Sequence, residues 1–385
     1  MRKLSFVIFF TIALSVYALI NFYVALRAWE TLSSHPGLRT PVLTILCFLA
    51  ASFVAGRILE RRRITWFSTT LVWIGSFWLA AMTYFLLSLL VIDTARLSNF
   101  FLPWFPAFVV SNIDLSKLIV GSLVTLGVIV VVIGGHLNAI RPRIRTLELA
   151  IAKKRGSAGS LNIVAASDIH LGTIISKTRL QKIVRMMNEL RPDVVLLPGD
   201  VFDEDIGPVI RQNLGETLRT IQSKYGVYAI TGNHEYIGGE EAACQYLTEH
   251  GITVLRDDFA KIDDICYVVG REDISIRQFT GKRRKPLEEV MKSIDRTLPV
   301  ILMDHQPFHL EEAEQNGVDL QLSGHTHHGQ LWPFNYISSK IFELSWGYKK
   351  KGNTHIYVSC GVGTWGPPVR TGNTPEILNI RLAFN

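Results

Sequence analysis

The 385-residue chain carries 40 Lys and Arg against 33 Asp and Glu, a net charge of +7, and 48% of its residues are hydrophobic. Two or three domains fit in that length, and they differ in kind: nearly all long apolar runs fall before residue 141, while the remainder spreads its charges evenly, as a soluble domain does. The arginines cluster beside apolar runs, a membrane-flank pattern that argues against nucleic acid as the partner. Cys47, Cys244, Cys266 and Cys360 form no Cys-x-x-Cys pair, so neither a disulfide framework nor a thiolate zinc site is indicated.

Leu4–Leu26 is almost wholly apolar and follows Arg2 and Lys3. It exceeds the ~7–15 apolar residues of a secretory signal and lacks a small-x-small cleavage site, so it reads as an uncleaved transmembrane helix. Three further spans follow, at about Thr40–Gly56, Thr65–Ile92 and Leu115–Ile140. Each meets or approaches the ~20 residues needed to cross a bilayer core. Phe100–Val110 is apolar too, but Pro103 and Pro106 break it, and it reads as an interfacial segment with Trp104 at headgroup depth. Residues 1–140 are therefore expected to form an anchor of about four transmembrane helices. Arg2, Lys3, Arg57, Arg61–Arg63, Arg141, Arg143, Arg145, Lys153, Lys154 and Arg155 fall on one side, and only Arg27, Arg39, Arg96 and Lys117 on the other. The positive-inside rule then predicts a multi-pass protein of the cell (cytoplasmic) membrane with its soluble domain in the cytoplasm. No acidic residue lies deep in a span, which favours an anchor over an ion pathway.

Residues 141–160 read as a basic linker with a Gly156–Ser160 hinge, although Leu147–Ile151 alternates enough for a first strand. From 161 on, short apolar runs alternate with polar loops and helical spacing. Leu161–Ser167 leads into Asp168–Ile169–His170, and a helix is expected over Thr178–Leu190. Asp193–Leu197 leads into Gly199–Asp200–Val201–Phe202–Asp203, with a helix near Pro208–Ser223. Val227–Ile230 runs into Gly232–Asn233–His234–Glu235, then a helix near Glu240–His250. Strands near Ile265–Gly270 and Pro299–Met303 follow, the latter ending in Asp304–His305. Asp319–Ser323 feeds Gly324–His325–Thr326–His327–His328–Gly329, and Ile356–Cys360 and Glu376–Leu382 close the domain. Strand, polar loop, helix is the rhythm of an α/β fold with its site at the carboxyl ends of strands.

Every Asp, Asn and His cluster sits where a strand stops. Asp168, His170, Asp200, Asn233, His305, His325 and His327 make a nitrogen–oxygen set without sulfur, too many for one four-coordinate zinc and suited to two octahedral ions sharing a bridge. Such donors fit manganese, iron or zinc better than magnesium or calcium. Two divalent metal ions in that arrangement activate a bridging water for in-line attack at phosphorus. His234 follows Asn233 directly, so its side chain points elsewhere and suits protonation of a leaving oxygen.

The series Asp-x-His, Gly-Asp-x-x-Asp, Gly-Asn-His-Glu, a lone His and Gly-His-Thr-His, in this order over about Asn162–His328, resembles the calcineurin-like metallophosphoesterase superfamily. The resemblance implies a four-layer α/β sandwich over 161–385 with two metals at its edge. It places Asp168, His170, Asp200 and His327 on the first metal. Asp200 bridges to the second, which Asn233, His305 and His325 complete. His234 matches the catalytic histidine and Asp203 the acid that orients it. His328 lies beyond the pattern, either behind a ligand or facing solvent; His309, His250 and His355 match nothing.

Gly361–Arg370, with Gly329–Gln330–Leu331–Trp332–Pro333, is similar to the bacterial membrane-anchored branch that includes UDP-2,3-diacylglucosamine pyrophosphatases. A glycine-rich turn carrying Arg370 suits a substrate phosphate, and a tight turn around a structural arginine is the other reading. The expected activity is hydrolysis of a phosphoester or pyrophosphate bond, with a lipid-linked nucleotide sugar as the leading substrate. A soluble phosphoester and a catalytically silent membrane sensor are the alternatives. Residues 201–225 and 271–286 are expected to shape the substrate pocket.

Overall fold

The computed structural model describes residues 2–153 and 159–384; Lys154, Arg155 and Gly156–Ala158 of the expected hinge lie outside them. The chain divides into two compact units, one ending at Gly135 and one beginning at His136.

The first unit is helical, with helices Arg2–Thr31, Pro36–Arg62 and Trp66–Phe101, the short Ala107–Ser111, and the start of Ile113–Ala139. Four of these helices, with the first counted from Thr11, are long and apolar enough to cross a membrane by length and composition. They correspond to the four expected spans. Three are longer than their expected spans: Arg2–Thr31 continues past Leu26, Pro36–Arg62 extends the shortest expected span at both ends, and Trp66–Phe101 continues past Ile92. That continuation carries Asp93, which pairs with Arg27 of the first helix. Helix contact is polar as well as apolar. The Trp78 indole N–H donates to Asn21 Oδ1 at 2.8 Å, beside a cluster of Val24, Trp78 and Met82. The stretch around Pro103 and Pro106 is non-helical, and Asn99 Oδ1 there accepts the amides of Trp104 and Phe105.

The second unit is built on two six-stranded sheets. The strands are β1 (Arg143–Ile151), β2 (Ser160–Ala165), β3 (Val194–Leu197), β4 (Val227–Ala229), β5 (Thr253–Val254), β6 (Asp258–Ile262), β7 (Cys266–Gly270), β8 (Val300–Met303), β9 (Leu320–Ser323), β10 (Gly347–Lys351), β11 (Thr354–Val358) and β12 (Glu376–Phe384). One sheet has the order β1-β12-β2-β3-β4-β5, the other β10-β11-β9-β8-β7-β6. In the first sheet β2, β3, β4 and β5 run parallel. In the second, β7, β8, β9 and β11 do.

β3 (Val-Val-Leu-Leu) and β8 (Val-Ile-Leu-Met) are apolar at every position because both of their faces are covered. One core joins alternate residues of both sheets, among them Ile163, Leu196, Val268, Ile301, Leu320 and Ile380. On the far side of the second sheet, Val269, Val300 and Leu302 pack with Leu287, Met291 and Ala313 from helical segments. The helix Lys177–Glu189 buries Leu180, Ile183, Val184 and Met187, the i, i+3, i+4, i+7 stripe of an amphipathic helix.

Besides β5 and β6, which no expected strand covers, three elements differ from expectation. The segment read as linker contains β1, which pairs in parallel with β12 over nine positions, from Arg143↔Glu376 to Ile151↔Phe384. The Leu147–Ile151 alternation belongs to this edge strand, and Arg145 before it donates to the buried Glu376 at 3.2 Å. The helix expected over Pro208–Ser223 is two short helices, Gly207–Arg211 and Leu214–Leu218, broken where Asn213 adopts a left-handed backbone with φ 51°. β10 was not anticipated, because Gly-Tyr-Lys-Lys-Lys reads as a solvated charge run; lysines are how an exposed edge strand resists pairing with another chain.

Candidate metal centre

All five donor loops follow carboxyl ends of parallel strands. Asp168 and His170 follow β2, Asp200 follows β3 and Asn233 follows β4. His305 follows β8, and His325 and His327 follow β9. The loops turn sharply. Asp168, His170, Asp200, His325 and His327 all have left-handed backbones, with φ between 44° and 70°. Such conformations cost of order 1–3 kcal/mol each in non-glycine residues and persist only where surrounding structure enforces them. Here they aim side chains from separate strands at one place.

Among the described residues three groups of donors result, Asp168–His170–His327, Asp200–His305–His325 and His170–Asp203–His234, each with ligand atoms within 4.8 Å of one another, and the first two hold the expected ligands. In the first, His170 Nε2 and His327 Nε2 are 3.0 Å apart, and Asp168 Oδ1 lies 3.6 Å from His327 Nε2. In the second, His305 Nε2 stands 3.0 Å from Asp200 Oδ2, and His325 Nδ1 stands 2.8 Å from Asn233 Oδ1. Asp200 Oδ2 also faces the first group, 3.9 Å from His170 Nε2. All seven residues expected as ligands are therefore brought together, with Asp200 between the two groups.

These distances fit a metal. Donors ~2.1 Å from an ion and at right angles to each other lie roughly 3 Å apart. The proton positions agree. His305 Nδ1 donates to the Pro198 carbonyl at 2.8 Å, so Nε2 presents a lone pair to a carboxylate oxygen. Two lone pairs at that separation need a positive charge between them, a proton or a cation. Burial lowers the His305 pKa, and Asp200 more than offsets it, so the pKa stands well above that of an ordinary histidine. Burial holds His170 and His325 neutral, each with its pKa lowered to about 3, the form that binds a cation. No sulfur joins either group: Cys360, buried nearby, donates to the Thr374 carbonyl.

His234 sits beside the donors without belonging to the Asp200 group. Its ring meets His170 edge-on at 4.6 Å between centroids, and its Nδ1 lies 3.8 Å from Asp203 Oδ1. Its backbone N–H donates to Asp200 Oδ1 at 2.9 Å. Asp203 lies close to both histidines, with His170 Nδ1 3.9 Å from its Oδ1.

Glu235 has a part that the sequence reading left unassigned. It is buried, and its carboxylate accepts the backbone amides of Asp200, Phe202 and Gly232. One side chain thus ties the Asp200 loop to the Asn233 turn. The signal was present, since Gly-Asn-His-Glu puts an acid three residues after a helix N-cap.

Arg370 is a correction. It was expected to face a substrate phosphate, yet it has no exposed surface. Its guanidinium donates to Gly363 O and Asn373 Oδ1, and its Nη2 lies 3.1 Å from His327 Nδ1. It is the structural arginine of a tight turn. His328 turns away from the donors to Ser345 Oγ at 3.0 Å. His309, His250 and His355 bond to Glu311, the Tyr246 carbonyl and Tyr348, outside the site. Beside His305, Gln306 lines a cavity of about 490 Å³ with Ile274, Ser275, Arg277 and Gln278, within the 271–286 segment expected to shape a pocket.

Residues 161–329 match the family model described as calcineurin-like phosphoesterase. A transmembrane protein with metallophosphoesterase domain from Danio rerio is 33% identical over 267 residues, 66% of this chain and 60% of that protein. A metallophosphoesterase from Helicobacter pylori strain J99, named as uncharacterized, is 33% identical over 254 residues, 65% of this chain and 66% of that protein. A third, from Aquifex aeolicus and likewise named uncharacterized, is 33% identical over 229 residues, 58% of this chain and 85% of that protein. The chain thus spans less than two thirds of the first two relatives and most of the third.

Proposed function

Because the chain belongs to the calcineurin-like phosphoesterase family, we propose that it is a membrane-held, metal-dependent hydrolase of phosphoester or pyrophosphate bonds whose substrate is carried by a lipid. The observation that carries the reading is the position of Asp200 Oδ2, 3.0 Å from His305 Nε2 and 3.9 Å from His170 Nε2. One carboxylate oxygen faces both donor groups, the position that a shared bridge would need.

In this reading Asp168, His170, Asp200 and His327 hold one divalent ion, and Asp200, Asn233, His305 and His325 hold the other. Manganese, iron or zinc suits these nitrogen and oxygen donors. When bound, the ion pair activates water and neutralises charge developing on the phosphoryl oxygens. The protein's own parts are then clear. His234 carries the proton that the leaving oxygen needs, and Asp203 orients the imidazole and favours its protonated form. In agreement, Asp200 and Asp203 together outweigh the lowering effect of burial and raise the His234 pKa. Glu235 holds the two loops at fixed spacing. The cavity beside His305 takes the rest of the substrate, with Arg277 as its cation.

The apolar helices support a lipid-borne substrate, since they keep the chain in a bilayer. The arginine-rich flanks support a catalytic unit on the cytoplasmic side of the cell membrane. A nucleotide-linked acylated sugar such as UDP-2,3-diacylglucosamine has the right chemistry.

The test is product release by metal-loaded full-length protein in detergent, from UDP-2,3-diacylglucosamine and from bis-p-nitrophenyl phosphate, with His234→Ala beside it. Release of UMP, lost in the variant, supports the whole reading. Cleavage of the small diester alone keeps the hydrolase and removes the lipid substrate. Silence on both, with metals bound, overturns the reading in favour of a binding protein.

A further inference from the structure

The loop that carries His325 and His327 runs straight into a helix, Phe334–Ile341, with no buried residue. Its side chains are not those of a solvated helix. Tyr336 is 61% exposed, Ile337 54%, Ile341 61% and the preceding Trp332 52%. Ile337 and Ile341 are one turn apart, with Phe334 one turn earlier, so they make a continuous apolar stripe. Nothing loose explains the exposure, because the helix is fixed at its base. A Cβ at Gly329, which has φ +71°, would strike the backbone of Phe334 and Asn335. Ser339 Oγ lies 3.3 Å from Ser345 Oγ, and the Ser345 carbonyl accepts the Thr326 hydroxyl.

A second aromatic extends the patch towards the chemistry. Gln330 clamps the Trp365 backbone, accepting from its N–H and donating to its carbonyl, both at 3.0 Å. The exposed Trp365 ring meets the His234 ring at 6.1 Å between centroids. The charges around the helix are one-sided. Residues 332–351 contain Lys340, Lys349, Lys350 and Lys351 against the single acid Glu343. Glu343 pairs with Lys349 and Lys351, which leaves Lys340 and Lys350 exposed.

From these residues we infer that Trp332 and the helix Phe334–Ile341 form a membrane-surface docking element that seats the catalytic unit on anionic lipid. Phenylalanine and isoleucine on one face, with an exposed tryptophan, tyrosine and lysine beside it, are the composition of an interfacial helix, in which apolar side chains enter the headgroup boundary and cations meet anionic headgroups. A bilayer is the occupant the chain itself implies, since it carries four helices long and apolar enough to cross one. The chain leaves a helix able to span a membrane at Ala139 and enters β1 at Arg143. Ile337 and Ile341 belong to none of the donor groups, so the inference stands or falls apart from the hydrolase reading.

The test uses the full-length chain with Cys47→Ser, which removes the exposed cysteine and leaves three buried ones. A nitroxide is placed at Ile337→Cys or Ile341→Cys, and the protein is reconstituted into phosphatidylethanolamine–phosphatidylglycerol vesicles. Collision with oxygen and with a water-soluble nickel chelate is read by electron spin resonance. Leu123→Cys on an apolar helix and Gln222→Cys on the exposed surface supply the lipid and water limits. Circular dichroism confirms the fold of each variant, and two label positions guard against one failing. Docking predicts an oxygen-to-nickel ratio several-fold above that of Gln222→Cys at both positions, falling when phosphatidylcholine replaces the anionic lipid. A ratio equal to that of Gln222→Cys overturns the inference. Shielding from both reagents also overturns it, because the stripe is then covered by protein, such as a second copy of the chain.

Discussion

Arg370 Nη2 lies 3.1 Å from His327 Nδ1, and the guanidinium is wholly enclosed. The ring's other nitrogen, Nε2, is turned towards His170, 3.0 Å from its Nε2. The same guanidinium bonds to Gly363 O and Asn373 Oδ1, and Asn373 in turn donates to the His327 carbonyl. Arg370→Met should therefore act through stability. Its buried acceptors lose their donors, at a cost of about 3 kcal/mol. We expect a midpoint several degrees lower in thermal denaturation, with the KM of residual activity unchanged. A raised KM at unchanged stability would return Arg370 to the substrate.

The shared position of Asp200 makes a stoichiometric prediction. Asp200→Ala removes a donor from both groups, whereas His325→Ala removes one from the second group alone. Metal analysis of purified, dialysed protein should find about two ions per chain in the parent. It should find close to one in His325→Ala and almost none in Asp200→Ala. Equal loss in both variants would mean that the groups do not share the carboxylate.

His234 touches the donors only through its ring edge and its backbone amide. His234→Ala should keep its metal and lose turnover by about 10²–10⁴-fold, the usual worth of a positioned proton donor. Asp203→Asn should cost less and move the alkaline limb of the pH–rate profile to lower pH, since His234 must stay protonated and Asp203 raises its pKa. Metal analysis and a pH–rate profile on the same preparations check both. Loss of metal in His234→Ala would recast it as a ligand.

How much of this was legible in the sequence follows from what each residue depends on. Asp168, Asp200, Asn233, His305 and His327 could be placed because parallel strands deliver their carboxyl ends to one edge, and alternating apolar runs reveal where strands stop. Glu235 could have been assigned from its spacing after Gly232. Arg370 could not, because its burial depends on Gly363 and Asn373 closing around it, a tertiary fact with no periodicity. β1 was obscured for a related reason: its pairing with β12, more than 220 residues later in register, leaves only a weak alternation among arginines. The exposed stripe of Phe334–Ile341 was equally hidden, since apolar residues at helical spacing ordinarily mean core.

Glycines around Asp168 offer the last test, one that separates backbone from ligand. A Cβ at Gly363 would lie 2.5 Å from the Asp168 carbonyl oxygen and even nearer the Ile169 carbonyl, both backbone atoms that cannot swing aside. A Cβ at Gly324 would strike Asp168 Oδ2 and lie 2.8 Å from the Ser167 Cβ, so the carboxylate must rotate. Gly363→Ala should therefore behave as overpacking and cost about 1–3 kcal/mol. Gly324→Ala should instead lose chiefly the first metal, because the Asp168 carboxylate is the group displaced. Gly37→Ala, where a Cβ meets nothing within 4 Å, is the control. Thermal denaturation with metal analysis on all three variants distinguishes these outcomes. If Gly324→Ala keeps both ions with parental stability, the Asp168 carboxylate has room that this geometry denies it, and its place among the first ion's ligands falls.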